Sequence, residues 1–139
     1  MTTFKLITIS IISFLGLACS KSDDNTQDNV KNTLIGKWNI VSRTDAGENA
    51  LRDDCEKKSY ITFTENEYID SFFTTKNGEC VKEEDKLTYT ISEDKIIVSN
   101  SYESVSYSFT IVGNQLTFTR KTINNNGIEE AFIEIYVKE

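Results

Sequence analysis

The sequence predicts an all-β fold, an eight-stranded antiparallel up-and-down barrel after a signal peptide and a flexible tether. Three observations predict it. Apolar and Ser/Thr residues alternate with a period of two through most of the chain beyond Leu34, the spacing of strands with one buried face. Short turns rich in Gly and Asn separate these segments. Proline is absent, so no segment is barred from pairing in a sheet on that ground.

At the N-terminus a single basic residue, Lys5, precedes the apolar stretch Leu6–Ala18, with small residues before Cys19. These features describe a secretory signal over residues 1–18. The apolar stretch falls short of the ~20 residues that a bilayer-spanning helix needs. The segment Leu15-Gly16-Leu17-Ala18-Cys19 resembles a bacterial lipobox. That resemblance implies that Cys19 becomes the lipidated first residue and that the membrane partner is reached through this lipid. The expected location is the outer membrane of a Gram-negative bacterium, on the periplasmic side or exposed at the cell surface.

The chain has three cysteines, an odd number that leaves one unpaired in an oxidising compartment. With Cys19 lipidated as the lipobox implies, Cys55 and Cys80 remain. Export favours a disulfide between them; two buried reduced thiols are the alternative. Closing that loop would stabilise the fold by roughly 3–4 kcal/mol in the chain-entropy model.

Cleavage after Ala18 removes only Lys5 from the 15 basic residues, leaving 14 against 22 acidic ones, a net charge of −8. That balance argues against a nucleic-acid partner and against electrostatic adhesion to anionic lipid. Histidine is absent, which removes the commonest general base and every Ser-His or Cys-His nucleophile arrangement. An enzymatic reading rests only on carboxylates such as Asp70 and Glu134, so the chain reads as a non-enzyme without a cofactor. The acidic clusters Asp53-Asp54-Glu56 and Glu83-Glu84-Asp85 flank the two cysteines and offer oxygen ligands for Ca²⁺. No Asp-x-Asp-x-Asp-Gly spacing accompanies them, and charged loops are ordinarily solvated, so no metal is expected.

Residues 19–33 form the lipidated cysteine and tether, and residues 34–139 form the single domain. Ser20–Asn29 is polar throughout and unable to bury anything, the composition of a flexible linker. Its Ser-Lys-Ser-Asp-Asp start resembles acidic export signals of surface lipoproteins; an ordinary solvated tether fits equally. Only Val30–Ile35 offers a helical turn or two. Strands are expected at Trp38–Arg43, at Ile61 and Phe63, at Tyr68–Thr74, at Leu87-Tyr89-Ile91 and at Lys95–Ser99. Further strands follow at Val105-Tyr107-Phe109-Ile111, at Leu116-Phe118 and at the C-terminus, where Ile133, Ile135 and Val137 read as the buried set with Glu134 opposite. Gly113-Asn114 and Asn126-Gly127 are strong hairpin signals because such turns need positive φ. Two longer connections, 44–58 and 75–85, carry Cys55 and Cys80. Near-uniform hairpins favour closure into a barrel, which removes both sheet edges.

The segment Leu34-Ile35-Gly36-Lys37-Trp38 resembles the Gly-x-Trp opening of the lipocalin superfamily. With the Cys55 and Cys80 pair, the strand order and the lipobox, the chain resembles the lipocalin-like domains of small bacterial lipoproteins over residues 30–139. The resemblance implies an Arg from a late strand packed over Trp38 at the closed end. Arg120 is the expected counterpart, although it falls on the penultimate strand and the last strand offers only Lys138. Fatty-acid-binding relatives hold a carboxylate with an Arg and a Tyr inside the barrel, a competing role for Arg120 with Tyr107 or Tyr136.

The resemblance also implies a small hydrophobic ligand in the barrel. Trp38, Phe63, Tyr89, Tyr107, Phe109, Phe118 and Arg120 are the candidate ligand-binding or core residues; Ile133 and Ile135 are read as inward too. Eight strands enclose a space just wide enough to fill with side chains or to hold one small ligand. Two functions therefore stand: a monomeric, lipid-anchored, non-catalytic binding module, or a filled barrel serving as a scaffold for protein or glycan contacts.

Overall fold

A computed structural model describes residues 24–139, with side chains from Asp28 onward. The signal segment, Cys19 and residues 20–23 lie outside the described residues. The first element is a helix, α1 (Asp24–Leu34), longer than the turn or two expected at Val30–Ile35. It takes in part of the segment read as tether. Val30 and Leu34, one helical turn apart, lie on one face; Leu34 is fully buried in the barrel core and Val30 packs against it.

The strands are β1 (Gly36–Asp45), β2 (Glu48–Asn49), β3 (Tyr60–Phe63), β4 (Glu67–Lys76), β5 (Glu79–Ser92), β6 (Lys95–Ser99), β7 (Ser104–Val112), β8 (Gln115–Ile123) and β9 (Glu129–Lys138). β2 is a two-residue addition at the end of β1. The other eight form an antiparallel meander in sequence order, and pairing of β1 with β9 closes the sheet into a barrel. Turns after β3, β5 and β7 therefore share the end where α1 sits. The connections after β1, β4, β6 and β8 form the opposite end, the mouth.

At the α1 end the interior is solid. Trp38, Ile61, Phe63, Ile96, Leu116 and Phe118 are at most 1 % exposed. Phe63 meets Tyr68, Tyr89 and Phe118 edge-on, with ring centroids 5.3, 5.1 and 6.4 Å away. Edge-to-face contacts of this kind add ~0.5–1.5 kcal/mol each beyond the area they bury.

Three features differ from the sequence expectation. The connection 75–85 is not a loop: β4 and β5 continue through it to a tight hairpin at Asn77-Gly78, where φ is +53° and +84°. Cys80 accordingly lies in β5, bonded to Cys55 in the connection after β2 with Cα atoms 5.5 Å apart. The second difference is in β9. Glu134 and Tyr136 are its buried residues, while Ile133 and Ile135 are half-exposed and Val137 exposed on the outer face. Ile133 and Ile135 therefore do not line the interior.

The third difference is a β-bulge in β1. Ile40 pairs with Tyr136 and Ser42 with Ile135, so Val41 is the extra residue and is 57 % exposed. An inserted residue reverses the alternation beyond it. Arg43, not Ser42, consequently faces inward, directly opposite Glu134.

Candidate binding site

The closed end explains the Gly-x-Trp opening. The Trp38 indole Nε1–H donates to the Leu34 carbonyl at 2.7 Å, tying the first strand to the last turn of α1. Lys138, not Arg120, covers the ring, with Nζ 5.0 Å from its centroid. The same ammonium donates to the Thr33 carbonyl at 2.6 Å, a favourable place for a cation because helix C-termini carry partial negative charge. Gly36 has φ +128°, and a Cβ there would stand 3.1 Å from Lys138 Cε. The positive φ strains any other residue there, and a Cβ would also make Lys138 shift by a few tenths of an ångström.

Arg120 instead lies over Phe132, its guanidinium carbon 5.2 Å from the ring centroid. Its buried Nε has no hydrogen-bond partner among the described residues. The stacking role assigned to Arg120 from sequence is thus overturned: Lys138 is the residue near enough, because β9 ends where α1 does.

Above the aromatic floor the interior turns polar. The Arg43 Nε–H donates to Glu134 Oε1 at 2.7 Å, a pair whose side chains are 22 % and 8 % exposed. Burial works against the charge on Arg43, but Glu134 more than offsets it and raises the Arg43 pKa. Burial drives the Tyr136 and Tyr68 pKa values well above the usual phenol range, and the neighbouring Glu134 charge adds to the rise at Tyr136. On the facing wall Asp70 is pushed up to about 6, first by burial and then by Glu134, with Arg43 opposing.

A cavity of about 140 Å³ opens here between β4, β5, β6 and β7. Leu87, Val98 and Val105 form its apolar wall, Tyr68 and Tyr107 bring hydroxyls, and Asp70 and Glu103 bring carboxylates. Below it Tyr107 stacks on Phe118, with centroids 5.4 Å apart.

Of the residues singled out from sequence, Trp38, Phe63, Tyr89 and Phe118 belong to the core cluster. Tyr107 lines the mouth cavity. Phe109 is elsewhere, half-buried beside α1 in a shallow groove with Val30 and Ile111. The acidic clusters do not converge. Asp53 accepts from Thr75 and from backbone N–H groups of Cys55 and Glu56, Asp54 pairs with Lys57, Glu83 with Lys76, and Glu84 with Lys82. Arg43 escaped the sequence reading because its inward orientation depends on the bulge. Tyr68, by contrast, carried a usable signal: it shares a parity with Asp70 at the start of a strand.

Residues 34–133 match the family model of a lipocalin-like domain. No curated protein matches the chain. Similar solved structures include a deswapped triple mutant of bovine odorant-binding protein, 14 % identical with a TM-score of 0.48, covering 76 % of this chain and 74 % of that one. Another is the possum milk whey lipocalin trichosurin with bound 4-ethylphenol, at 12 % identity and a TM-score of 0.47, covering 76 % of each chain. Hamster aphrodisin is 18 % identical with a TM-score of 0.41, covering 76 % of this chain and 75 % of that one.

Proposed function

The chain belongs to the lipocalin-like domain family, and from that premise we propose that it is a lipid-anchored, non-catalytic envelope protein whose barrel mouth takes one small ligand. Lipocalin folds commonly bind small hydrophobic molecules, and the observation that carries the reading is the contrast within this barrel. Its closed end is filled and plugged by Trp38, whereas its mouth keeps a cavity of about 140 Å³. A long acyl chain or a retinoid-sized molecule has no room there. The polar side chains of Tyr68, Asp70, Glu103 and Tyr107 around that cavity favour a ligand carrying polar groups. A filled scaffold for protein or glycan contacts is the second reading, supported by the solid core of the closed half.

The anchor is proposed from the apolar signal segment and its terminal Cys19. Acyl chains contribute ~0.8 kcal/mol per buried methylene, so a multiply acylated cysteine holds firmly to a membrane. Mass spectrometry of protein purified from its native membrane tests both parts. A diacylglyceryl mass on Cys19, with release of Cys19→Ser into the soluble fraction, is expected; an unmodified Cys19 and full membrane retention of the mutant would refute the anchor. A co-purifying small molecule is expected for the binding module, and its consistent absence favours the scaffold.

A further inference from the structure

We propose that the mouth cavity selects a small primary amine on a benzene-sized apolar body, its ammonium facing the carboxylates of Asp70 and Glu103. This rests on the mouth being a ligand site and names the class of ligand. Size comes first: a cavity of about 140 Å³ is close to the ~150 Å³ apolar cavity that holds one benzene molecule. The walls suit such a body. Leu87, Val98 and Val105 supply apolar surface, and the rings of Tyr68 and Tyr107 can face a cation.

Charge decides the rest. The charged residues lining the cavity are Asp70 and Glu103, both acidic. The cationic side chains inside the barrel are placed elsewhere: Arg43 is held by Glu134 across the β1–β9 seam, and Arg120 lies over Phe132. An anionic ligand would meet two carboxylates, and a neutral one would leave Asp70 only the field of Arg43, whose hydrogen bond goes to Glu134. Asp70 accepts no side-chain hydrogen bond among the described residues. Its burial disfavours the ionised form, and an arriving ammonium would restore what burial removes.

The interior groups that set this field are Arg43 on β1, Tyr68 and Asp70 on β4, Tyr107 on β7, Arg120 on β8, and Glu134 with Tyr136 on β9, with the exposed Asp85 of β5 paired opposite Asp70. Glu103 stands at the rim. With Asp70 raised to about 6, the carboxylate is available above that pH and must shed a proton below it. Amine affinity is therefore full near pH 8 and falls several-fold by pH 5.

Isothermal titration of the disulfide-bonded mature protein with benzylamine, benzyl alcohol and benzoate tests the assignment. At pH 7.5 benzylamine should bind at least ~10-fold more tightly than benzyl alcohol, the ratio for one charge-assisted hydrogen bond, and benzoate most weakly. Asp70→Asn should abolish the preference for the amine while leaving benzyl alcohol within about twofold, as expected when only the charge-assisted contact is lost. Should that variant fail to fold, Glu103→Gln at the exposed rim should reduce the amine preference several-fold. Equal or tighter binding of benzyl alcohol or benzoate overturns the amine assignment and leaves the mouth as a ligand site. Failure of all three compounds to bind overturns both.

Discussion

The two halves of this barrel are built from the same strands by opposite rules. Around α1, strands such as β1, β3 and β8 contribute apolar side chains in alternation, and they meet in a solid cluster from Trp38 to Phe118. Toward the mouth, the same strands turn inward Arg43, Asp70, Arg120 and Glu134, beside a small cavity. Burying an ion pair rarely adds stability, because the desolvation of two charges offsets their attraction. A filled end thus holds the barrel shut, and the polar end is retained at some cost to stability. Ligand sites commonly combine a firm scaffold with a few placed polar groups.

The difference can be broken most severely at Trp38. Truncation to Ala should cost ~3–5 kcal/mol, a large part of the ~5–15 kcal/mol that holds a typical domain together. Because Trp38 is the one tryptophan of the chain, wild-type emission should be blue-shifted and poorly quenched by iodide. Water-like emission would place the ring at the surface.

The seam pair should behave differently. Glu134→Gln alone should cost ~2–4 kcal/mol in denaturant unfolding, because it leaves Arg43 half-buried without its anion. Adding Arg43→Met to a Glu134→Leu background should recover most of that loss. A double variant no more stable than the Glu134→Leu single variant would make the pair a source of stability, contrary to the contrast drawn between the halves.

Asp70 should show the reverse sign. Its pKa is about 6 in the folded state against an ordinary value of 3.8. Between these values the native state holds more protons than the unfolded one, so stability falls as pH rises from about 4 through 6. Asp70→Asn should therefore stabilise the protein by ~1–3 kcal/mol at pH 8 and by almost nothing at pH 3.5. Equal stability of mutant and wild type across that range would mean Asp70 is solvated. The smallest effect belongs to Lys138→Met, about 0.5–1 kcal/mol from the lost cation–π contact, read as a shift in thermal midpoint of a few degrees.

The closed half was legible in the sequence because its pattern is local. Ile61 and Phe63 in β3 and Leu116 and Phe118 in β8 alternate with Thr, and Gly113-Asn114 marks the turn before β8; Gly113 indeed has φ +59°. Asn77-Gly78 carried the same kind of turn signal between Lys76 and Glu79, yet the charged residues around it disguised a long hairpin as a loop. The mouth resisted reading for a physical reason. Its inward residues are polar, so alternation in β9 points the wrong way: Ile133, Ile135 and Val137 look like a core face, while Glu134 and Tyr136 occupy it. The bulge at Val41 adds a reversal that no composition rule announces, and Arg43 joins the interior only through it. Arg120 and Lys138 show the remaining limit, since which cation covers Trp38 depends on where β9 ends.

The division of the barrel is tested most directly by mapping a ligand onto it. Amide and methyl chemical shifts of the isotope-labelled mature protein should be followed during titration with benzylamine. Perturbations should concentrate at Tyr68, Asp70, Leu87, Val98, Val105 and Tyr107, with the Trp38 indole and Ile61 unmoved. Shifts confined to Phe109 and Ile111 beside α1, or spread through the Trp38–Phe118 core, would contradict a filled end and a receptive mouth.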